Sequence, residues 1–358
     1  MTAVGILGLG TYLPPEVRRN DWWPSDVVAR WSERSAARVT RGDSPDPGSL
    51  APGERRTLEA MVAIANDPFR GAVERRVIAD DMTQWEMEAR AAREAMQRAG
   101  IRPDEVGVLL TQTPIPEHLV INTACPTHRL LELPRRCFTL GTEAACNGFA
   151  LHASLAQAMI ASGQAKYVLS VHSTAMTRVN DPKEPDSAWW GDGAAAAVFG
   201  AVSDGRGLLS AVHNTDGNSW GAVVLGVPDR RWWEDGRMVI HNRNRDHTRA
   251  MLMSLVDRAG ETIGQAIDEA GLTKRDVDFF ASHQGTAWLT KATQAHSGLD
   301  HAKTLVTFPT FGNMTTVNIP FILAMAEREG MVRDGSIVAT FSGGAGETWS
   351  SLCLRWGR

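Results

Sequence analysis

An α/β protein assembled from two similar halves is what the sequence predicts, and two observations carry the prediction. The first is an internal repeat, sought before anything else because overlooking one misreads the fold. The segment "REAMQRAGIRPDEVGVLLTQT" (Arg93–Thr113) aligns without gaps on "GQAIDEAGLTKRDVDFFASHQ" (Gly264–Gln284), an offset of 171 residues. The second is the unit that both segments spell: the end of an amphipathic helix, an Ala-Gly stop, a short polar turn and an apolar strand.

Taken in order, the chain opens with "VGILGLGTYLPP" (4–15), which reads as a strand running into a turn. Residues 32–60, "SERSAARVTRGDSPDPGSLAPGERRTLEA", have no counterpart in the repeat. Their Arg, Ser, Pro and Gly content predicts a partly flexible insertion, with a helical pattern resuming near Thr57. "CNGFALHASLAQAMIASGQAKYVLSV" (Cys146–Val171) then sets against "NIPFILAMAEREGMVRDGSIVATF" (Asn318–Phe341), each a helix, a glycine turn and a strand. The segment "GLLSAVHNTDG" (207–217) pairs with the opening strand as a third match. Two α/β units follow, 1–202 and 203–358, and ligands in such folds gather where strand ends meet helix starts.

Composition narrows the function classes. The 358 residues are 43% hydrophobic and 22% charged with a formal net charge of −4, so nothing marks the chain as disordered or as a nucleic-acid binder. The first twenty residues lack the basic flank of a secretory signal, and no apolar run reaches the ~18 residues of a membrane span. Four cysteines without CxxC spacing, and a lone Cys/His pair in "CPTH" (125–128), predict neither a disulfide framework nor a metal site and fit a cytoplasmic enzyme. Twelve Trp residues, several in pairs, serve either as packing or as a substrate or partner surface.

Three residues carry candidate chemistry. Cys146 sits where a helix begins, so free N–H groups and the positive end of the helix dipole favour its thiolate, while a buried inert cysteine is the plainer alternative. His283 ends the apolar strand "VDFFASH", where a hydrogen-bonded structural histidine is the plainer reading. Asn313, in "FPTFGNMTTVNIP", is either a turn or cap residue or a donor aimed at a ligand. The repeat sets all three at equivalent loop ends of the two halves, where one shared site can form.

The order of "EAACNGF", "SHQG", "FGNMTTVNIP" and "SGGAGETWSSLCLRW" resembles the β-ketoacyl-acyl-carrier-protein synthase III group of the thiolase superfamily, from about Gly71 to Trp356. The resemblance implies a thiolase-like fold, a duplicated five-layer αβαβα architecture. It also implies an acyltransferase that loads an acyl group on Cys146 and condenses it with a malonyl-type thioester, in polyketide or fatty-acid-related metabolism. His283 and Asn313 would then polarise the thioester carbonyl, and the backbone N–H groups of Cys146 and Ala345 would form the oxyanion hole. The substrates implied are thioesters of coenzyme A or acyl carrier protein, with no permanently bound cofactor. The assembly implied is a homodimer whose loop 118–128 reaches the partner's acyl pocket.

Six positions depart from the family pattern. Thr286 replaces an Asn and Trp288 an Arg after "HQ", and Arg70 in "FRGAV" is the substitute for an arginine that helps hold coenzyme A. Gly343 replaces a Phe, which predicts a larger cavity. Glu347 replaces an apolar residue, and serves either as a base for a polar acceptor or, by strand alternation, as an outward side chain with Thr348 inward. Such a base would make the chain an ester- or amide-forming acyltransferase that works without decarboxylation. Glu143, three residues before Cys146, has no assigned role.

Overall fold

The computed structural model describes residues 2–40 and 47–358. The first half contains β1 (Val4–Tyr12), β2 (Glu16–Arg19), α1 (Ser25–Thr40), α2 (Pro52–Ala63), β3 (Glu74–Val77) and α3 (Gln84–Ala99). It continues through β4 (Val108–Gln112), α4 (Ala124–Leu130), β5 (Phe138–Thr142), α5 (Gly148–Ala161), β6 (Val168–Thr174) and β7 (Gly193–Ala201). The second half contains β8 (Gly207–Thr215), the short pair β9 (Val224–Gly226) and β10 (Val239–His241), α6 (Arg245–Glu269), β11 (Phe279–Ser282) and α7 (Leu289–His296). It closes with α8 (Phe308–Phe311), α9 (Asn318–Arg328), β12 (Ile337–Gly344) and β13 (Thr348–Arg355).

The two sheets have matching topologies. One runs β1-β7-β6-β4-β5 and the other β8-β13-β12-β11. In each, two antiparallel pairings are followed by a parallel one. A parallel bridge from Phe279 to Lys303 stands where a fifth strand of the second sheet would lie. Helices α5 and α9 are buried between the sheets, and the central core joins Phe149, Ala153 and Ala156 to Ile319, Ile322 and Leu323. A helix apolar all round is what a central layer requires, and "GFALHASLAQAMIA" has that character. Outside, α3 covers the first sheet and α6 the second, which completes five layers, αβαβα.

Local chemistry explains the outer helices. Helix α3 starts where the Thr83 N–H and hydroxyl both donate to Glu86 at 2.8 Å, and stops at Gly100 in the left-handed region. Its alanine face lets β1 come into contact with the helix backbone. A Cβ at Gly10 would lie 2.0 Å from the Ala91 carbonyl oxygen, and one at Gly8 2.4 Å from that of Ala95, so "LGLG" in the first strand is a packing requirement.

The segment between β2 and β3 corrects the expected flexible insertion. Residues 32–40 continue α1, and the second helix begins at Pro52 rather than near Thr57. Residues 41–46 lie outside the described residues. Helix α2 packs on α6 and α7. The Asp257 carboxylate of α6 accepts from the Gly53 N–H at 2.8 Å and the Glu54 N–H at 3.2 Å, capping the free donors of α2.

Candidate active site

Two strained turns, one from each half, meet at the centre. Ala145 holds φ at +45° and Thr315 at +49°, a region that costs non-glycine residues about 1–3 kcal/mol, most of all a β-branched one. A side chain two residues earlier secures each turn. Glu143 Oε1 accepts from the Ala145 N–H at 2.6 Å, and Asn313 Oδ1 accepts from the Thr315 N–H at 2.8 Å. Each turn then feeds a central helix, α5 or α9. The structural counterpart of Cys146 is therefore Thr316, two residues earlier than the expected Asn318. Glu143 acquires a role as the counterpart of Asn313. The turns pack on each other so closely that a Cβ at Gly148 would lie 2.7 Å from Thr316 Oγ1 and 2.6 Å from Gln112 Cγ.

Cys146 is half-buried, and its carbonyl accepts from Ser342 Oγ at 2.7 Å. Gln112 Nε2 donates to the Ala145 carbonyl at 3.2 Å. Against the expectation of a thiolate, burial pushes the Cys146 thiol up to about 12, and the Glu143 carboxylate pushes the same way. Removing the thiolate from water costs more than one helix terminus returns.

His283 follows β11 and is locked by its own N–H donating to the Phe341 carbonyl at 2.7 Å. The next residue, Gln284, accepts the N–H groups of Thr307 and Phe308 at 2.7 and 2.9 Å, which pins the loop leading to Asn313. Asn313 is itself fixed through its N–H, which donates to the Trp189 carbonyl at 2.6 Å. A Cβ placed on Gly285 would lie 3.1 Å from His283 Nε2 and 3.9 Å from Asn313 Nδ2, so the two side chains converge in front of that glycine. Burial pulls the His283 imidazole down to about 4, with the Thr315 backbone pulling the other way, so the ring is neutral near pH 7. Asn318 is the site residue that sequence reasoning missed. It is fully buried, and its Nδ2 lies 3.1 Å from His283 Nδ1 and 3.4 Å from Asn313 Oδ1. Its only signal was a second asparagine in "FGNMTTVNIP".

The remaining candidates divide. Ala345 directly follows β12, whose last residue, Gly344, abuts the cysteine turn: a Cβ there would lie 2.9 Å from the Ala144 carbonyl oxygen. Gly343 does not leave a void, because Leu255 Cδ1 of α6 stands 3.0 Å from where its Cβ would be. Glu347 is inward, at 2% exposure, and pairs with Arg258 of α6; Arg258 also donates to Asp216 at 2.8 Å and lies over the Trp349 ring. Alternation failed because Glu347 sits in the turn between β12 and β13, where no pleat dictates direction. Trp288 is buried with Ala60, Ile64, Leu255 and Val256, beneath the inserted helix α2. Thr286 Oγ1 is buried with no protein partner among the described residues. Arg70 is no spare fork for a phosphate: it donates to the Ile64 carbonyl at 3.2 Å and Ser35 Oγ at 2.7 Å, tying α1 to α2.

Comparison with known proteins identifies the family. Residues 140–217 match the family described as 3-oxoacyl-[acyl-carrier-protein (ACP)] synthase III, and residues 267–356 match its C-terminal part. The chain is 30% identical over 305 residues to the β-ketoacyl-[acyl-carrier-protein] synthase III of Geobacillus kaustophilus, covering 84% of this chain and 93% of that one. It is 31% identical over 307 residues to the protein of the same name from Symbiobacterium thermophilum, with the same shares covered. Among solved structures, the synthase III of Thermus thermophilus superposes with a TM-score of 0.78 at 27% identity, over 99% of both chains. The priming β-ketosynthase of the R1128 polyketide pathway shares the fold with a TM-score of 0.80 at 24% identity, over 99% of this chain and 96% of that one. A duplicated five-layer fold, with its two strained turns meeting beside a cysteine, a histidine and an asparagine, is thus found in a chain that belongs to the β-ketoacyl-acyl-carrier-protein synthase III family of condensing acyltransferases.

Proposed function

We propose that this condensing enzyme carries its acyl group on Cys146 and joins it to a malonyl-type thioester by decarboxylative Claisen condensation. In the first half-reaction the Cys146 sulfur attacks a thioester carbonyl, the new carbon–sulfur bond forms, the bond from acyl carbon to carrier sulfur breaks, and the cysteine proton leaves on the carrier thiol. The backbone N–H groups of Cys146 and Ala345 receive the tetrahedral oxyanion. In the second, the malonyl carbon–carboxylate bond breaks, carbon dioxide departs, and the electron pair becomes an enolate on the thioester oxygen. That enolate attacks the acyl carbon, a carbon–carbon bond forms, the acyl–sulfur bond breaks, and the Cys146 sulfur departs as a thiolate that takes a proton from water.

The observation that carries this reading is the pair His283 Nε2 and Asn313 Nδ2 converging at Gly285. Charge appears on the thioester oxygen only as the carboxylate leaves, so two neutral, preorganised donors favour the transition state over the anionic ground state. The ester- or amide-forming alternative draws on Glu347, buried beside the Ala345 turn. Its pairing with Arg258 argues against that role, because the guanidinium occupies the carboxylate that would have to reach an acceptor's proton.

The substrates are thioesters of coenzyme A or of acyl carrier protein, with no resident cofactor in the scheme. We place the two units at 1–202 and 203–358 and the enzyme in the cytoplasm, where its four unpaired cysteines stay reduced. A homodimer accounts for the exposure of Leu119, Val120 and Ile121 and of Phe138 on the edge strand β5, since such a patch favours a partner over water.

Intact-mass measurement after exposure to acyl thioesters tests the first step, with Cys146→Ala as control. The native protein gains the acyl mass and the variant does not. Adding malonyl-carrier protein labelled at the free carboxyl then releases labelled carbon dioxide in step with product. Retention of the label in an ester product sinks the condensation reading.

A further inference from the structure

We infer that Asn318 is a positioning residue that holds His283 in the tautomer with hydrogen on Nε2 and turns the Asn313 amide so that its Nδ2 faces the substrate. The inference rests on the reading of His283 and Asn313 as the donors to the enolate oxygen.

The hydrogen bonds of Asn318 favour one arrangement of the cluster, with the Thr315 backbone also facing the ring. Asn318 opens α9 in a fully buried position, with its Nδ2 3.1 Å from His283 Nδ1 and 3.4 Å from Asn313 Oδ1. Exchanging its amide oxygen and nitrogen would set two oxygens face to face across the Asn313 contact and leave its two N–H donors without acceptors. The nitrogen therefore points at the histidine and donates to Nδ1. A neutral imidazole that accepts at Nδ1 carries its hydrogen on Nε2, which is the nitrogen beside Gly285. At Asn313, Oδ1 accepts from both the Thr315 N–H and Asn318, so the opposite edge of that amide, Nδ2, is the one directed toward Gly285. One buried amide thus aims two donors at the same point.

The Asn318 oxygen supplies an independent sign. It is buried with no partner among the described residues. An unmet buried acceptor carries a desolvation cost that an apolar residue at the start of α9 would avoid. A side chain kept at that cost is retained for what its nitrogen does.

The test reads the tautomer directly, by nitrogen-15 NMR of the imidazole with His283→Ala as the assignment control. The native protein is expected to show a protonated Nε2 and a bare Nδ1. Asn318→Asp is isosteric but offers only acceptors, so in mildly alkaline buffer it moves the hydrogen to Nδ1. Malonyl-thioester decarboxylation then falls by about 10²-fold, the scale of losing one oxyanion-type donor, while acylation of Cys146 changes less than about threefold. Asn318→Ser gives a partial loss and covers the case in which the aspartate variant fails to fold. A native Nδ1–H tautomer overturns the proposal, as does an unchanged decarboxylation rate in both variants. If the tautomer moves as expected while His283→Ala decarboxylates at the native rate, the enolate reading fails and the positioning role of Asn318 stands.

Discussion

Cys146 is flanked by a carboxylate that makes its ionisation harder. Glu143 secures the strained Ala145 through its N–H, and the same charge raises the thiol. Glu143→Gln keeps an oxygen acceptor for that N–H and removes the charge, so the thiol pKa falls. The expected outcome is faster alkylation of Cys146 by iodoacetamide below about pH 9, followed by mass spectrometry; an unchanged rate would mean that desolvation alone sets the thiol. The buried hydroxyls and imidazoles nearby have a determined polarity. Thr142 Oγ1 donates to Gln112 Oε1 at 2.7 Å, so it must accept from His152 Nε2. Ser170 then donates to His152 Nδ1 and accepts from His172 Nε2, and Thr316 donates to His172 Nδ1. This one-way chain starts at the counterpart of Cys146 and, through Gln112 Nε2, ends on the Ala145 carbonyl, so the two strained turns are braced against each other.

Among the elements, α6 departs most from a plain covering helix. It fills the space opposite Gly343 with Leu255, neutralises Glu347 with Arg258 and caps α2 with Asp257. Asp257→Ala should loosen α2 without touching the reacting groups. We expect a loss of about 0.5–2 kcal/mol, read by denaturant unfolding, with hydrogen exchange rising first in residues 53–57. Gly343→Phe restores the family residue against a wall already occupied by Leu255, and overpacking of that kind costs about 1–3 kcal/mol. The paired variant Gly343→Phe with Leu255→Ala is expected to recover most of that loss, and a failure to recover would show that Leu255 is not the obstacle.

On the scale of the whole molecule, the buried titratable groups oppose one another. Burial lowers His152 to about 3, His283 to about 4 and His172 well below its ordinary value. These rings stay neutral in the folded state while the unfolded chain protonates them, so stability falls as pH drops below about 6.5. Burial raises Glu88 to about 7 and Asp186 and Asp192 to about 6. These acids hold protons that the unfolded chain has released, so their contribution grows as pH drops from about 7 to 4 and then levels off. Burial lowers His213 as well, so four histidines stand against three acids and a shallow decline is left near pH 5–6, joined at lower pH by loss of the carboxylates with lowered pKa such as Glu86 and Asp216. Glu88→Gln removes one counterweight and should steepen the decline between pH 6 and 5 by about 1.4 kcal/mol per pH unit, measured by chemical denaturation. An unaltered slope would mean that Glu88 is ionised throughout that range.

The sequence by itself determined the duplication, because a repeated order of helix, glycine stop and strand survives in local residue choice whatever the side chains later touch. It also singled out Cys146, His283 and Asn313, since each stands at a loop end where the repeat predicts a site. Its register was off by two at the second turn, because left-handed Thr315 leaves no glycine in the sequence to mark it. Only the tertiary structure decided the surroundings that set each group's chemistry. Burial and Glu143 push the Cys146 thiol up where the helix start was expected to lower it, and Arg258, more than eighty residues before Glu347, turned that residue inward. Asn318 gained its place from a contact with His283 across 35 positions of sequence. Charge, tautomer and orientation depend on neighbours brought together by folding, and no local pattern encodes them.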